Sequence, residues 1–562
     1  MNLFSFIWPN KLDRIELENC KETMQKNYNV VIIGGGVSGL TLGAMLGKLG
    51  QKCCIIEKEK QAGGYIAGYQ RKGFHFDTAI HWLNQFGENG ISHRCFSFIG
   101  DDYPRPRPLS RINYYYSDNH KILLQPDLEL VKADFISLFP DEEKGIRRFF
   151  YHAEQLSHMS LKMSNYVRSS ETMSFFGKLF FYLRVMPIVL PILKHIRYSG
   201  DKGVKKGLSK YFKGDAIKDV FGSESDLLSC LFPFAWAKNN DYFSTPAGGS
   251  AEFVKWLLAK NKMFGNDILL NTEARSVILE GEKAIGVKAV QKTKQLQLNA
   301  KYIVAASDLN SLYRDLLPKG KISEKVLQRL RNSKQYKSAF TVSVALDCPA
   351  EDLGFGEELI SLMKNNLERY QHEDSNPGHS KLNILSPSAR DKSLCPEEYG
   401  IVTIYMAADI ESYDYWKTEV SPEGRRIRGE GYYGLKKEIA QKLFQRLDNE
   451  INPDFSKHIL FYEAATPVTY ERYTSNHRGT IMGTRPGKEN IKNKVASHFT
   501  EIENLLVGGQ WAELGGGIPT TSLSAMNTAL IVLRKENRKM FKEVIRYFGG
   551  NISLEELNDK IG

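Results

Sequence analysis

Three glycines and an acid carry the clearest chemistry in this chain. Gly34, Gly36 and Gly39 lie in Val30-Val31-Ile32-Ile33-Gly34-Gly35-Gly36-Val37-Ser38-Gly39, and Glu57 ends the next apolar run, Cys53-Cys54-Ile55-Ile56. This is G-x-G-x-x-G between a buried strand and a helix, with an acid about twenty residues beyond it. Gly34 allows the tight turn. Gly36 leaves bare backbone for a pyrophosphate, and Gly39 lets the helix pack close to the strand. The helix N-terminus then presents free N–H groups and a partial positive charge to phosphate. Glu57 can accept hydrogen bonds from both ribose hydroxyls. The ordered series of strand, triad, helix, strand and acid specifies a dinucleotide cradle, which the triad alone would not.

Two other residues could handle protons. His81 follows the strand Phe74-His75-Phe76 and Asp77, and is either an acid or base of the site or a histidine bonded within the fold. Glu513 lies in a second glycine-rich stretch and could serve instead, or is a solvated loop acid. No Ser-His-Asp order and no metal-ligand cluster stands out, so no metal is expected.

Several elements must hold these groups in position. The strand Val30–Ile33, a helix from Leu40 to Leu49 closed at Gly50, and the strand ending at Glu57 form the cradle. Gly63-Gly64 suits a further close approach of backbone to cofactor. Thr245-Pro246-Ala247-Gly248-Gly249-Ser250 opens a helix over 251–261, and strands are expected near 268–272, 274–279, 283–287 and 296–305. Strands at 114–116 and 121–124 read as a hairpin turning near Ser117-Asp118-Asn119. Runs at 340–346 and 401–407 alternate as sheet strands of a second domain, and 366–381 reads as a loop. Near the end, Leu505-Leu506-Val507 enters Gly508-Gly509-Gln510, and Gly515-Gly516-Gly517 precedes a long helix over 522–534. That second glycine turn and helix start could set backbone N–H groups against a cofactor. No other glycine fingerprint occurs, which argues against a separate nicotinamide domain.

The segment 174–213 is unusual. Phe175, Phe176, Leu179, Phe180, Phe181, Leu183, Met186 and Leu190 crowd together, followed by Lys202, Lys205, Lys206, Lys210 and Lys213. Pro187 and Pro191 are expected to break the helix. The pattern reads as a helix pair in a membrane interface, or as a buried helical hairpin with a solvated basic face. No run of 18 uncharged apolar residues occurs, so no spanning helix is expected. Leu3 to Trp8 is apolar but has no preceding basic region and no cleavage site, and is not read as a signal peptide.

At 562 residues, 42% hydrophobic and 25% charged, the chain suits a large globular core in two joined domains. The net charge of +11 allows a polyanionic partner. Without zinc-finger spacing, RNA-binding aromatics or arginine blocks, a membrane surface fits better than nucleic acid. Seven scattered cysteines suit a reducing compartment, and vicinal Cys53 and Cys54 should face opposite sides of a strand.

Taken in order, these pieces resemble the phytoene desaturase, carotenoid isomerase and retinol saturase family of FAD enzymes, over almost the whole chain. Val31 to Phe76 matches its G-x-G-x-x-G, E-K, G-G and G-F-x-F-D series, and 245–250 its P-x-G-G helix start. Ser307-Asp308-Leu309, Ala465-Thr466-Pro467-Val468-Thr469, Arg478-Gly479-Thr480 and 509–519 match later segments. Asp77-Thr78-Ala79-Ile80-His81-Trp82 is closest to the retinol saturase pattern. Gln510 stands where many relatives have aspartate, and Ala79 where glycine is common.

The resemblance implies an α/β fold: a Rossmann-like FAD-binding domain of glutathione-reductase/amine-oxidase type, with an interleaved α+β substrate domain. The first would comprise 28–110, 245–310 and 495–545, the second 111–244 and 311–494. FAD would be held non-covalently. Gly34, Gly36, Val37, Ser38, Gly39, Glu57, Lys58, Gly63, Gly64 and Val277 would serve its adenosine half, and Gly509, Gln510, Gly516, Gly517 and Ile518 its flavin half. The implied substrate is a long apolar polyene or isoprenoid lipid, met by a cytoplasmic, peripherally membrane-associated oxidoreductase. Desaturation, saturation and isomerisation need the same cradle, so the cradle does not choose among them, and the electron acceptor or donor stays open. A flavin amine oxidase acting on a small amine and a non-catalytic flavin-binding protein are the rival classes.

Overall fold

The computed structural model describes residues 24–422 and 426–561; the apolar stretch Leu3 to Trp8 lies outside them. Two seven-stranded sheets organise the chain. In the first, Asp267–Leu269, Cys53–Ile56, Met24–Ile33 and Lys294–Ala305 run parallel. The last of these pairs in parallel with Leu505–Val507 near its end and antiparallel with Lys283–Gln291 near its start. Thr272–Glu280 closes the edge. The central strands are apolar because both faces are covered. Val30, Ile32, Cys53 and Ile55 pack on one side with the helices Val37–Lys48 and Gly517–Glu536, and Val31, Ile33, Cys54 and Ile56 pack on the other. Cys53 and Cys54 therefore face opposite sides, as their alternation predicts.

The second sheet runs in the order Ile459–Ala465, Ser338–Leu346, Gly400–Ala408, Leu382–Leu385, Leu359–Leu362, Asn113–Tyr116, Lys121–Leu124. It is antiparallel apart from the pairing of Leu359–Leu362 with Asn113–Tyr116. One face supplies Phe340, Val342, Val344, Val402, Ile404 and Met406 to a core under the helix Glu430–Glu450. The opposite face carries Thr341, Ser343, Thr403, Tyr405 and Ser361, all buried, with Asn383 partly buried, and meets Tyr470 and His81. A helical layer around Glu143–Met163 and Leu227–Lys238 completes the molecule.

The segment around Pro187 and Pro191 departs from its sequence expectation. It forms one continuous helix, Phe175–Ile196, through both prolines. Each proline removes one N–H donor, but its fixed φ suits a helix. The carbonyls four residues back belong to Leu183 and Pro187, which are exposed and can turn to solvent. The helix is also long and apolar enough to cross a membrane by length and composition, although only 11% of its most apolar stretch is buried. An uncharged-run criterion missed it because Lys178, Arg184 and Lys194 interrupt the run, and long basic side chains can lie along apolar surface with their charge in water. Phe175 is 78% and Leu183 62% exposed.

Candidate cofactor and substrate site

The first glycine turn is built as its spacing requires. Gly34 has φ +111°, a conformation that L side chains rarely adopt. A Cβ on Gly39 would lie 2.0 Å from the Gly34 carbonyl oxygen, so the helix packs at backbone contact. A Cβ on Gly36 would meet nothing within 4 Å. The space in front of Gly36 is therefore open to a ligand. The helix Val37–Lys48 starts there with no side-chain cap and no acid in its first turn, so its leading N–H groups face that space unpaired. Gly63 donates its N–H to the Gly35 carbonyl at 2.8 Å, which brings Gly63 and Gly64 against the turn.

Glu57 curls back under the same turn. Its carboxylate accepts from the Gly35 N–H at 2.8 Å and the Glu59 N–H at 2.9 Å. Burial raises its pKa, and these two bonds oppose the rise. Each oxygen keeps a further lone pair for a hydroxyl donor. Lys58 points elsewhere: its Nζ donates to the Arg472 carbonyl and to Ser475 Oγ. Val277 pairs with Val287, and its side chain packs with Ile33 and Ile56.

The C-terminal glycine loop meets the first. Gly509, at φ +73°, lies so that its Cβ would stand 3.4 Å from Ser38 Oγ. That Ser38 hydroxyl is buried and has no hydrogen-bond partner among the described residues. Gln510 follows, and its side-chain amide makes no hydrogen bond within the described residues. Gly516 caps the helix Gly517–Glu536, again with no side-chain cap and no acid in the first turn. Ile518 packs inward near Leu40 and Val304. The Gly509 turn thus meets the first uncapped helix start and its buried Ser38 hydroxyl. The residues present fit a dinucleotide whose pyrophosphate lies at Gly36 and whose ring end lies near 509–517.

Beyond this cradle the polar sheet face meets residues 65–82. Tyr69 is 36% exposed, yet burial pushes its hydroxyl up to about 12. Tyr470 donates to or accepts from Thr341 at 2.7 Å across the same region. His81 stands edge-on to Tyr405, with ring centroids 4.2 Å apart. Burial, then the charges of Arg390 and Lys381, lower its pKa to about 3. His81 is therefore a neutral imidazole at physiological pH, able to donate or accept a hydrogen bond but not to carry a stored proton. Arg390 donates to the backbone carbonyls of His81 and Glu357, leaving Nη2 without a partner. Asp77 anchors the 245–250 turn by accepting from the Ser250 N–H at 2.8 Å and its hydroxyl at 2.5 Å.

Glu513 is not in this group. It lies 3.6 Å from His498 Nε2 and accepts from Asn527 at 3.0 Å. The structure therefore separates the two proton-handling candidates: His81 contacts the sheet, and Glu513 the helix behind the glycine loop. Tyr405, Tyr470, Tyr69 and Arg390 were not singled out from the sequence. The alternation in 401–407 was the available signal for Tyr405, because polar residues on alternate positions of a buried strand mark a second, functional face.

Fold and cradle together define an oxidoreductase built on a Rossmann-like dinucleotide domain. Residues 32–97 match the NAD(P)-binding Rossmann-like domain model. The chain is 22% identical to the all-trans-retinol 13,14-reductase of Danio rerio, over 94% of this chain and 89% of that protein. It is 21% identical to the chloroplastic prolycopene isomerase of Daucus carota, over 90% of this chain and 80% of that protein. Among solved structures, putrescine oxidase bound to putrescine superposes with a TM-score of 0.58 at 12% identity, covering 91% of this chain and 100% of the other, which is a likeness of fold alone. Over most of its length the chain is thus similar to retinol 13,14-reductases and prolycopene isomerases.

Proposed function

We propose that this protein holds FAD non-covalently and uses it on the carbon–carbon double bonds of a polyene or isoprenoid lipid, drawn from a membrane surface. The open space at Gly36 carries the reading, because both glycine turns and the unpartnered Ser38 hydroxyl converge on it. When bound, the flavin supplies hydride or electron transfer. The chain's own residues do the rest. The N–H groups at 37–39 hold phosphate, Glu57 holds a ribose, and Gln510 is free to bond the ribityl chain or ring edge. Tyr69, Tyr405 and Tyr470 line the space for a long flat substrate, and His81 offers a neutral N–H or acceptor beside it. The substrates named for the two relatives, a retinol and a lycopene isomer, support the polyene class. The exposed apolar face of Phe175–Ile196 supports a peripheral membrane position.

Gly36→Val tests the cofactor reading cleanly. Its backbone (φ −70°, ψ 176°) suits valine, and the neighbouring space is free. The variant should fold with wild-type melting behaviour in the absence of added flavin, yet lose FAD affinity by about tenfold or more, about 1.4 kcal/mol. Full flavin occupancy would refute the reading. For the reaction, flavin-loaded protein should be incubated with vesicles carrying retinoids and carotenoids and the product masses read. A change of two hydrogens, or an isomer of unchanged mass, supports it; turnover of small amines alone would overturn it.

A further inference from the structure

Beneath the N-terminal half of Phe175–Ile196, against the Gly517–Glu536 helix, lies a cavity of about 230 Å³. Phe180 and Phe181 form one wall, and Met526 and Leu530 the other. Arg168 and Arg184 stand at its polar edge. Arg168 is fixed in position: Nε donates to Thr172 Oγ1 at 2.7 Å, Nη2 donates to the Thr172 carbonyl, and the guanidinium lies over the Phe541 ring at 5.3 Å. Its Nη1 has no hydrogen-bond partner among the described residues.

Charge is uncompensated around this cavity. Among the described residues, no carboxylate pairs with Arg168, Arg184 or Arg534, and Arg534 is close enough to press on Arg168. The nearest acid along the chain, Glu171, is committed to Ser497 and His498. Burial and Arg534 lower the Arg168 pKa to about 10. A desolvated cation with a fixed fork and no acid favours a phosphate or carboxylate oxygen. The apolar walls exclude a bare hydrated ion as the natural occupant, and the exposed apolar helix face beside the cavity meets the place where lipid would be supplied.

We propose that this cavity binds one anionic membrane phospholipid, with an acyl chain between Phe180, Phe181, Met526 and Leu530 and its phosphate on Arg168 and Arg184. The proposal rests on the membrane-surface reading above for its lipid source, and its test is separable from that reading.

Full-length, flavin-loaded protein is exposed to dioctanoyl phosphatidylglycerol, dioctanoyl phosphatidylcholine or inorganic phosphate, each below any micellar concentration, and bound equivalents are counted by native mass spectrometry. One phosphatidylglycerol should be retained, with phosphatidylcholine and phosphate at least tenfold weaker. Arg184→Gln, at an exposed helix position, should fold normally and weaken retention at least tenfold. Lys206→Gln/Lys210→Gln, which removes exposed positive charge elsewhere, should leave it unchanged. No phosphatidylglycerol retention, equal retention of phosphatidylcholine or phosphate, no effect of Arg184→Gln, or an equal effect of the lysine pair would each overturn the proposal. Sedimentation with phosphatidylcholine vesicles reads helix docking separately, because the soluble short-chain lipid needs no docking.

Discussion

Gly36 and Gly39 are three residues apart, yet their hydrogens answer to different demands. At Gly39 an added Cβ would fall 2.0 Å from backbone, so no side chain fits without moving strand from helix. Gly39→Ala should cost several kcal/mol and yield little folded protein, whether or not FAD is present. At Gly36 no protein atom opposes a side chain, so a demand there would come from the proposed cofactor alone. Melting curves of both variants with and without flavin would separate the two roles, and a well-folded Gly39→Ala would contradict the packing argument. A third residue works at a distance from the cofactor. Asp241 accepts from the Gln85 N–H at 2.5 Å and from Gln85 Nε2 at 2.7 Å, fixing the turn that follows His81 and Trp82. Burial raises its pKa to about 6, with the Gln85 bonds opposing. A raised folded pKa favours the protonated form. Its stabilising contribution is therefore complete below the ordinary value near 3.8 and is lost as pH rises through 6. The change is at most about 3 kcal/mol at about 1.4 kcal/mol per pKa unit. Asp241→Asn should flatten the stability profile between pH 4 and 6 in chemical denaturation; an unchanged slope would remove Asp241 from the account.

Elements were legible where one period dominated. The strand Val30–Ile33, the glycine turn and the acid at 57 could be read directly, because a buried parallel strand leaves a continuous apolar run and the turn has few allowed residue types. In the second sheet the strands at 114–116, 121–124, 340–346 and 401–407 were readable, while Leu359–Leu362, Leu382–Leu385 and Ile459–Ala465 were not, and alternation shows that two faces exist without saying what the polar one meets. Thr341, Ser343, Tyr405 and Asn383 acquire meaning only when strands distant in sequence are set side by side. The helix Phe175–Ile196 was misread at its prolines because the local rule against interior proline assumes that the freed carbonyls are buried. Its exposed row is the element's consequence for function. Phe176→Ser/Leu183→Ser/Leu190→Ser should leave the unfolding free energy within about 1–2 kcal/mol of wild type, since all three side chains are exposed. It should weaken sedimentation with phosphatidylcholine vesicles strongly, since each immersed side chain is worth about 1.5–3 kcal/mol. Unchanged sedimentation would assign the row another role.

Across the whole molecule, a buried polar knot ties the apolar helix to the cofactor loop. Glu171, four residues before the helix begins, accepts from the His498 N–H at 2.9 Å and from Ser497 Oγ, and lies 3.0 Å from His498 Nδ1. On its other side His498 faces Glu513 of the glycine loop, while Asn527 bridges Glu513 and the Ser169 N–H. One histidine, 1% exposed, thus stands between two carboxylates whose environments push them apart. For Glu171, burial raises the pKa, but the bonds from His498 and Ser497 outweigh it and the net shift is downward. Its contribution is present above the ordinary value near 4.5 and lost as pH falls through the lower folded value. For Glu513, burial raises the pKa, so its contribution has the opposite sign and is lost as pH rises. Two similar substitutions should therefore behave differently. Glu171→Gln removes the acceptor that orders the 169–171 turn and should cost about 1–3 kcal/mol at pH 7, with the acid-side loss of stability diminished. Glu513→Gln keeps an acceptor for Asn527 and relieves a desolvated charge, so stability at pH 7 should be equal or higher. Denaturation of both variants from pH 4 to 8 decides the matter: if Glu513→Gln proves the more damaging, the histidine is held mainly from the loop side, and the apolar helix is coupled to the cofactor more weakly than this knot requires.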